Sequence, residues 1–356
     1  MALHIRGTVL PDGEVRDLYV HNGLFVAEPP DEKAETALDG GWLVPGLVDC
    51  HAHLSLASPA GDAAPPAERV RASAGAHLDA GVLLVREPGS PDRESAAVAP
   101  TERAPAIVTA GRFLAAPGRY FPGLAREVEP SDLPRAVAEE AGGGWVKVIG
   151  DFFAPGGPIE PSWRAGDLRA AADAAHTAGA RIAIHATHPD TIADAVQAGF
   201  DSIEHGTGMT PDLVDALRER GTAWVPTLVI GDGVRQLAGG LDPAGSAELL
   251  GWLDRLPATV RAADAAGVTV LAGTDAGLVP HGWVAREVGL LLAAGVPADR
   301  ALAAASWTAR AYLGRPLIAE GAPADLVAYA DDPRTGPDVL TRPVLVLLAG
   351  RVIAKR

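Results

Sequence analysis

His51 and His53 stand directly after a short apolar run, with one residue between them. Residues two apart on a strand point to the same face, so both imidazoles can reach one metal ion. Imidazole is a common ligand for zinc, iron and nickel. Two histidines in a polar turn are the alternative, and this spacing alone does not decide between the two.

Two further histidines and an aspartate also follow apolar runs. His185 and His205 close successive helix–glycine–strand units, so neighbouring strands would present them side by side; a hydrogen-bonded core histidine is the alternative for either one. Asp275 lies in an Ala-Gly-Thr-Asp-Ala-Gly segment, where a carboxylate can bind metal or take a proton from metal-bound water. It could instead cap the next helix, but the flanking glycines allow close approach of a ligand and favour a functional role.

Lys147 is centred in the β-branched run Val146-Lys147-Val148-Ile149. A bare ammonium is costly to bury, and burial lowers its pKa and exposes a nucleophilic amine. Such an amine can take up carbon dioxide and become a carbamate, an oxygen ligand able to bridge two metals. The alternative is a lysine that extends its head group to solvent or pairs with Asp151.

Two polar residues near the predicted strand ends are candidate substrate contacts. Arg86 ends the run Val82-Leu83-Leu84-Val85, and a salt bridge with Glu87 or Asp92 is its alternative role. His281 lies in the loop just after Asp275, and loops at this face commonly carry binding residues.

The elements that position these residues alternate along the middle of the chain. Helices that end at Gly179, Gly199, Gly221 and Gly267 are each followed by a short apolar strand. For the first of these we predict that Asp167 is the N-cap. Four such units in succession predict a parallel α/β fold with polar residues at the carboxyl ends of the strands, where a (β/α)8 barrel carries its active site.

Both ends of the chain read as strands. Turn signals at 11–13 and 22–23 separate short runs before residue 45, and two apolar runs lie at 324–329 and 344–348. We therefore expect residues 1–45 and 320–356 to pair into one small β domain around a middle domain at 46–319.

Composition narrows the class of partner. The chain has 356 residues and a net charge of −15, which disfavours nucleic acid and anionic membrane surfaces. Its single cysteine, Cys50, allows no internal disulfide, and no apolar run is long enough to cross a bilayer. The N-terminus lacks the form of a signal peptide, so we expect a cytoplasmic protein; a homo-oligomer stays open.

The ordered set of four histidines, one lysine and one aspartate resembles the amidohydrolase superfamily. It is most similar to the branch that holds imidazolonepropionase-like proteins and metal-dependent Xaa-Pro dipeptidases, the prolidases. The matching motifs lie from end to end of the chain, at 43–53, 202–206, 272–277 and 321–327.

The resemblance implies a (β/α)8 TIM barrel with a small β-sandwich domain formed by both termini. It also implies a binuclear centre, with two divalent ions, zinc being the expected metal. His51, His53 and Asp275 would bind the more buried ion, His185 and His205 the second, and the carbamate of Lys147 would bridge them.

The sequence departs from the prolidases where they hold the substrate carboxylate. The Gly-Gly-His turn usual after the third strand is replaced by Ala116-Pro117-Gly118-Arg119-Tyr120, and no tyrosine follows 226–228. Arg119 or Tyr120 could supply a different contact, and Tyr120 joins Arg86 and His281 as a candidate substrate-binding residue.

The function predicted is cleavage of a C–N bond in a small amide, peptide or lactam by a metal-bridging hydroxide, with Asp275 moving the proton. Two alternatives stay open. One is a mononuclear deaminase or imidazolonepropionase-like ring hydrolase with Lys147 unmodified. The other is a scaffold that has kept the fold and lost activity.

Overall fold

A computed structural model of the chain describes residues 2–31, 33–98, 104–153 and 156–355. The strands are β1 (Ala2–Val9), β2 (Glu14–His21), β3 (Leu24–Val26), β4 (Glu35–Pro45), β5 (Leu47–Asp49), β6 (Val82–Glu87), β7 (Ala106–Thr109), β8 (Phe113–Ala115), β9 (Arg126–Glu127), β10 (Trp145–Ile149), β11 (Asp151–Phe153), β12 (Ile159–Pro161), β13 (Arg181–Ala186), β14 (Ser202–His205), β15 (Ala223–Val225), β16 (Leu326–Tyr329), β17 (Leu345–Leu348) and β18 (Arg351–Lys355). The α-helices are α1 (Pro66–Asp79), α2 (Glu94–Ala97), α3 (Leu133–Glu140), α4 (Ala165–Thr177), α5 (Pro189–Ala198), α6 (Pro211–Arg220), α7 (Gly231–Ala238), α8 (Pro243–Ala266), α9 (Val284–Ala294), α10 (Ala298–Ala304), α11 (Trp307–Tyr312) and α12 (Pro337–Leu340).

Strands from both ends of the chain lie in one seven-stranded sheet, in the order β18-β17-β16-β4-β1-β2-β3. The predicted turn at Asn22-Gly23 joins β2 to β3, with both residues at positive φ. The sheet has a hydrophobic core of its own that includes Ile5, Phe25 and Leu326. The two ends therefore pair, while the domain limits at 45 and 320 stay a prediction.

The helix–glycine–strand units of the middle region form as predicted for α4, α5 and α6, which lead into β13, β14 and β15. Gly199, Gly221 and Gly267 adopt left-handed φ values of 91°, 71° and 88° at the helix ends, a conformation that glycine adopts without steric cost. Asp167 lies in the first turn of α4 and accepts from the backbone N–H of Arg164, so our assignment of Asp167 as the N-cap is wrong by three positions.

One predicted strand does not form a regular ladder. The run at 268–271 makes a single parallel bridge, between Val270 and Trp224. Its neighbour Ala272 donates to the carbonyl of Ala304 and accepts from the N–H of Cys50. Ala304 is the last residue of α10, so the ladder does not continue through Ala272, and the run at 268–271 is not a regular strand.

The parallel strands lie in two sheets, β5-β6-β7 and β15-β14-β13-β10-β8-β9. Isolated parallel bridges connect their edges: Ser90 to Arg112 on one side, and Trp224 to Val270 and Ala52 to Ala276 on the other. The strand residues are buried on both faces, which explains their continuous Val, Ile and Leu runs. The fold is thus α/β, and parallel neighbours bring their carboxyl ends to the same edge.

Within the described part of the chain, no helix combines the length and the apolar character that crossing a bilayer requires.

Candidate metal centre

His51, His53 and Asp275 come together at the ends of their segments. Nε2 of His51 and Nε2 of His53 are 3.2 Å apart, and Oδ1 of Asp275 lies 3.3 Å and 3.1 Å from them. The backbone N–H groups of Thr274 and Asp275 donate to the carbonyl of His51, which fixes the aspartate beside the two rings. All three side chains are buried, and the three donor atoms lie within 4.8 Å of one another.

The hydrogen bonds of the two rings decide which nitrogens face each other. Nδ1 of His51 lies 2.7 Å from the Glu204 carboxylate, and Nδ1 of His53 lies 2.7 Å from the carbonyl oxygen of Gly89. Both partners are acceptors, so each Nδ1 can donate a hydrogen bond outward while each Nε2 faces Asp275. Two imidazole nitrogens and a carboxylate oxygen that converge at about 3 Å are a donor set suited to a bound divalent cation.

His185 and His205 lie beside this group because of strand register. His185 on β13 is opposite Glu204, and Ala186 is opposite His205 on β14. The rings of His185 and His205 are 4.7 Å apart, and the rings of His205 and His51 are 4.9 Å apart. Burial together with the Lys147 charge lowers the pKa of His185 to about 3, and burial holds the pKa of His205 well below its usual value. Both imidazoles are therefore neutral, the state in which imidazole binds metal.

Lys147 is buried in the centre of β10 and faces the same cavity. Burial lowers the pKa of Lys147 to about 8, with the nearby Arg86 guanidinium adding to the effect and the carboxylates of Glu204 and Asp275 opposing it. The lowered pKa increases the uncharged fraction of the amine near neutral pH, and the uncharged amine is the form that takes up carbon dioxide.

Asp275 is ionised despite its burial. Burial alone would raise the pKa of this carboxyl, but His51 and His53 beside it hold that pKa well below its usual value. The backbone at Asp275, His205 and Thr227 has positive φ values of 53°, 65° and 48°. Non-glycine residues in this region carry strain, and such strain clusters at functional sites.

The side chains surround a cavity of about 740 Å³, including the part open to solvent. All six predicted metal ligands line it, as does Tyr120. The remaining polar lining comprises Asp151, Thr187 and Thr207. The rest of the wall is apolar and consists of Phe113, Phe121, Phe152, Phe153, Ile159, Ile230, Val234, Leu237, Leu249 and Leu278.

Comparison with known proteins identifies the family. The model of the amidohydrolase family matches residues 42–353. The chain belongs to the amidohydrolase family. It is therefore an enzyme, a hydrolase that acts on carbon–nitrogen bonds, and small molecules are its substrates.

Relatives of this amidohydrolase support the same placement. An uncharacterized protein of Mycobacterium tuberculosis is 43% identical, over 98% of this chain and 95% of the relative. The structure of a Xaa-Pro dipeptidase with bound methionine has a TM-score of 0.83 and 23% identity, covering 99% of this chain and 100% of the other. The ochratoxinase of A. niger has a TM-score of 0.81 and 19% identity, covering 99% and 96%. These structural likenesses show a shared fold.

Arg86 of the amidohydrolase is a supporting residue, and our prediction that it contacts substrate does not fit its position. The side chain is fully buried and does not line the cavity. It donates to both oxygens of Glu204 at 2.7 Å and to the carbonyl of Cys50, and neither Glu87 nor Asp92 is its partner. Glu204 in turn accepts from His51, so the pair positions that ring.

We expect Glu204→Gln to destabilise the protein strongly, because it leaves the Arg86 guanidinium buried without its counter-ion. Loss of one partner of a buried pair costs about 3–5 kcal/mol. Asp254→Asn is the matched control, since Asp254 pairs with Arg235 at the surface, and such pairs contribute about 0–1 kcal/mol. Urea unfolding measures the free energy of unfolding of both variants. Equal small decreases would show that the buried ion pair contributes no more to stability than the surface pair.

Two further substrate predictions have different outcomes. Tyr120 lines the cavity, with its ring 6.2 Å from the ring of His185. His281 does not line it: its Nε2 lies 3.0 Å from the carbonyl of Leu56 and its Nδ1 3.3 Å from His77. The loop turns this ring back toward the interior, so a substrate contact by His281 does not fit. The guanidinium of Arg119 donates hydrogen bonds to the backbone carbonyls of Phe152 and Glu160.

Sequence reasoning missed three supporting or lining residues. Oγ1 of Thr227 lies 2.8 Å from Nδ1 of His205, and Asp49 accepts a hydrogen bond from the hydroxyl of Thr274 at 2.6 Å.

Asp151 lines the cavity, and its Oδ2 accepts hydrogen bonds from the backbone N–H groups of Thr187 and His188. Burial raises the pKa of Asp151 to about 6, against these two bonds and the nearby Thr191 hydroxyl. A carboxylate directly after a buried strand was the signal that could have identified Asp151.

Proposed function

We propose that this amidohydrolase uses a binuclear metal centre to hydrolyse an amide bond of a small molecule. His51, His53 and Asp275 would hold one ion, and His185 and His205 the other, with the carbamate of Lys147 between them. Zinc is the ion we expect from this set of imidazole and carboxylate donors. The observation that carries the proposal is the convergence of all six side chains on one cavity.

The architecture we propose around this site is a closed (β/α)8 barrel at 46–319, with a β-sandwich domain at 1–45 and 320–356. The bridges from Val270 to Trp224 and from Ala276 to Ala52 support closure, because they link β15 to β5 through the segment after α8. In such a barrel the carboxyl ends of the strands carry the catalytic residues.

Bound divalent ions would supply Lewis-acid polarisation of the substrate carbonyl and a water acidic enough to react near neutral pH. The protein supplies the proton transfer. Oδ1 of Asp275 faces the two imidazoles, which leaves Oδ2 to accept the proton of the attacking water and pass it to the leaving nitrogen. The low pKa of Asp275 ensures that the base starts ionised.

The carbamate of Lys147 forms without any other reactant from the protein. The uncharged amine attacks the carbon of carbon dioxide, a C–N bond forms as one C=O π bond opens onto oxygen, and the nitrogen gives up a proton to solvent. The product is an anion. A buried ammonium of Lys147 is unfavourable, whereas a carbamate on Lys147 would be stabilised by bound cations.

Metal removal and reloading test the proposal. We expect a chelator to abolish hydrolysis and zinc to restore it, with close to two ions per chain by elemental analysis of the active protein. A single ion would instead favour the mononuclear alternative, for which His51, His53 and Asp275 are the compact donor group in the described part of the chain. Protein that is folded and inactive at any metal loading would favour the inactive scaffold.

A further inference from the structure

The wall of the cavity is aromatic on the side of the hairpin β11–β12. The rings of Phe152 and Phe153 are stacked, with their centroids 4.6 Å apart. The ring centroid of Tyr120 lies 5.2 Å from that of Phe121 and 5.3 Å from that of Phe152. Ile159 and Phe153 pack against α7 and α8 across the cavity. An aromatic wall of this kind favours a planar apolar group of the substrate.

The apolar surface continues to the opening. Leu278 is 60% exposed and Leu237 is 38% exposed, and both line the cavity. Large apolar side chains that are exposed are few among the described residues, so two leucines at one opening mark a region that meets an apolar ligand.

The same wall offers no partner for a negative charge. Among the described residues that line the cavity, Lys147 is the one cation, and it lies buried among the proposed metal ligands. Arg119, which could have faced a carboxylate, instead donates to Phe152 and Glu160. Against this wall, away from the proposed metal ligands, an anionic group of a substrate would therefore lose its hydration without gaining a counter-ion.

Asp151 adds a repulsive element. The carboxyl is 1% exposed, its Oδ1 lies 3.8 Å from Nε2 of His185, and none of the described residues forms a hydrogen bond with that oxygen. A buried acceptor without a donor is costly, and a ligand that brings an N–H would satisfy it. A ligand carboxylate at the same place would meet a like charge.

Resting on the proposed function, we propose that the substrate is an uncharged amide with an aromatic substituent, that the aromatic group lies against Phe152 and Tyr120, and that Asp151 selects against a free carboxylate. The substrate class thus excludes dipeptides and N-acyl amino acids, which carry that carboxylate.

Two amides that differ by one carboxylate test this inference: N-(2-phenylethyl)acetamide and N-acetyl-L-phenylalanine. With zinc-loaded wild-type enzyme we expect kcat/KM to favour the neutral amide by roughly 100-fold, since like charges placed together cost several kcal/mol. N-ethylacetamide, which lacks the ring, should be at least roughly tenfold poorer than the phenylethyl compound.

Asp151→Asn should reduce the preference for the neutral amide about tenfold, because the amide retains one oxygen for Thr187 and His188 and removes the like charge. Asp190→Asn is the control: it removes a nearby charge whose side chain is 79% exposed, and we expect the preference to stay unchanged.

Binding separates this inference from the proposed function. Calorimetric titration of both compounds into zinc-loaded Asp275→Asn protein measures preference without turnover. Tighter binding of the neutral amide supports the inference even if neither compound is hydrolysed, and absence of hydrolysis then counts against the proposed function. Equal or better turnover or binding of N-acetyl-L-phenylalanine overturns the inference and leaves the hydrolase assignment intact, and failure of both compounds to bind overturns it as well.

Discussion

Asp275→Asn is expected to lower kcat by at least roughly 10³-fold while the protein stays folded, since general acid–base catalysis contributes about 10²–10⁴-fold and a metal ligand is weakened as well. The asparagine retains the shape of the side chain and one oxygen for the contacts with His51 and His53. It cannot accept a proton, so the step between attacking water and leaving nitrogen has no carrier. Steady-state kinetics with a neutral aryl-alkyl amide measures the loss.

The controls for Asp275→Asn must distinguish the loss of proton transfer from the loss of bound metal. Elemental analysis of the variant should still show metal, because four imidazoles of the proposed set are unchanged. Asp254→Asn removes a surface carboxylate whose side chain is 66% exposed and should leave kcat as in the wild type. Full activity of Asp275→Asn at equal metal content would remove the aspartate from the mechanism.

Lys147→Met is expected to lose about one metal ion per chain and to lower kcat by roughly 10²-fold or more, since a bridging oxygen ligand disappears. Methionine fills the buried space of the lysine stem, so loss of packing is small. Metal content and kcat of the purified variant are the measurements.

Dependence on carbon dioxide distinguishes a carbamate from a plain lysine. Metal-free wild-type protein reloaded with zinc in buffer freed of carbon dioxide should regain little activity, and added bicarbonate should restore it. Carbon-13 bicarbonate should then give a carbamate signal by NMR that Lys147→Met lacks. Equal reactivation with and without bicarbonate would favour the unmodified lysine of the mononuclear alternative.

Periodicity and spacing predicted the elements that position the site. Glycines after α5, α6 and α8 take the left-handed conformation that ends a helix, and the segment that follows each one places a polar residue at its carboxyl end. His185 and His205 could be expected to lie side by side for this reason. Strand alternation likewise placed His51 and His53 on one face.

Side-chain partners across the chain could not be read in the same way. Arg86 ends an apolar strand as a substrate contact would, but its guanidinium turns inward to Glu204, which is 118 residues away in sequence. His281 follows Asp275 closely, yet the loop directs its ring to Leu56 and His77. Such pairings depend on the packing of distant segments, which local sequence does not encode. The sequence suggested Asp151 as an ion-pair partner of Lys147, but its place in the cavity wall depends on the fold.

The most direct test of the central claim is a crystal structure of the zinc-loaded protein with anomalous scattering recorded at the zinc edge. We predict two strong peaks in the cavity, one beside Nε2 of His51 and His53 and one beside His185 and His205, with density for a carboxyl group on Lys147 between them. Peaks located elsewhere, or none in this cavity in active crystals, would contradict the account.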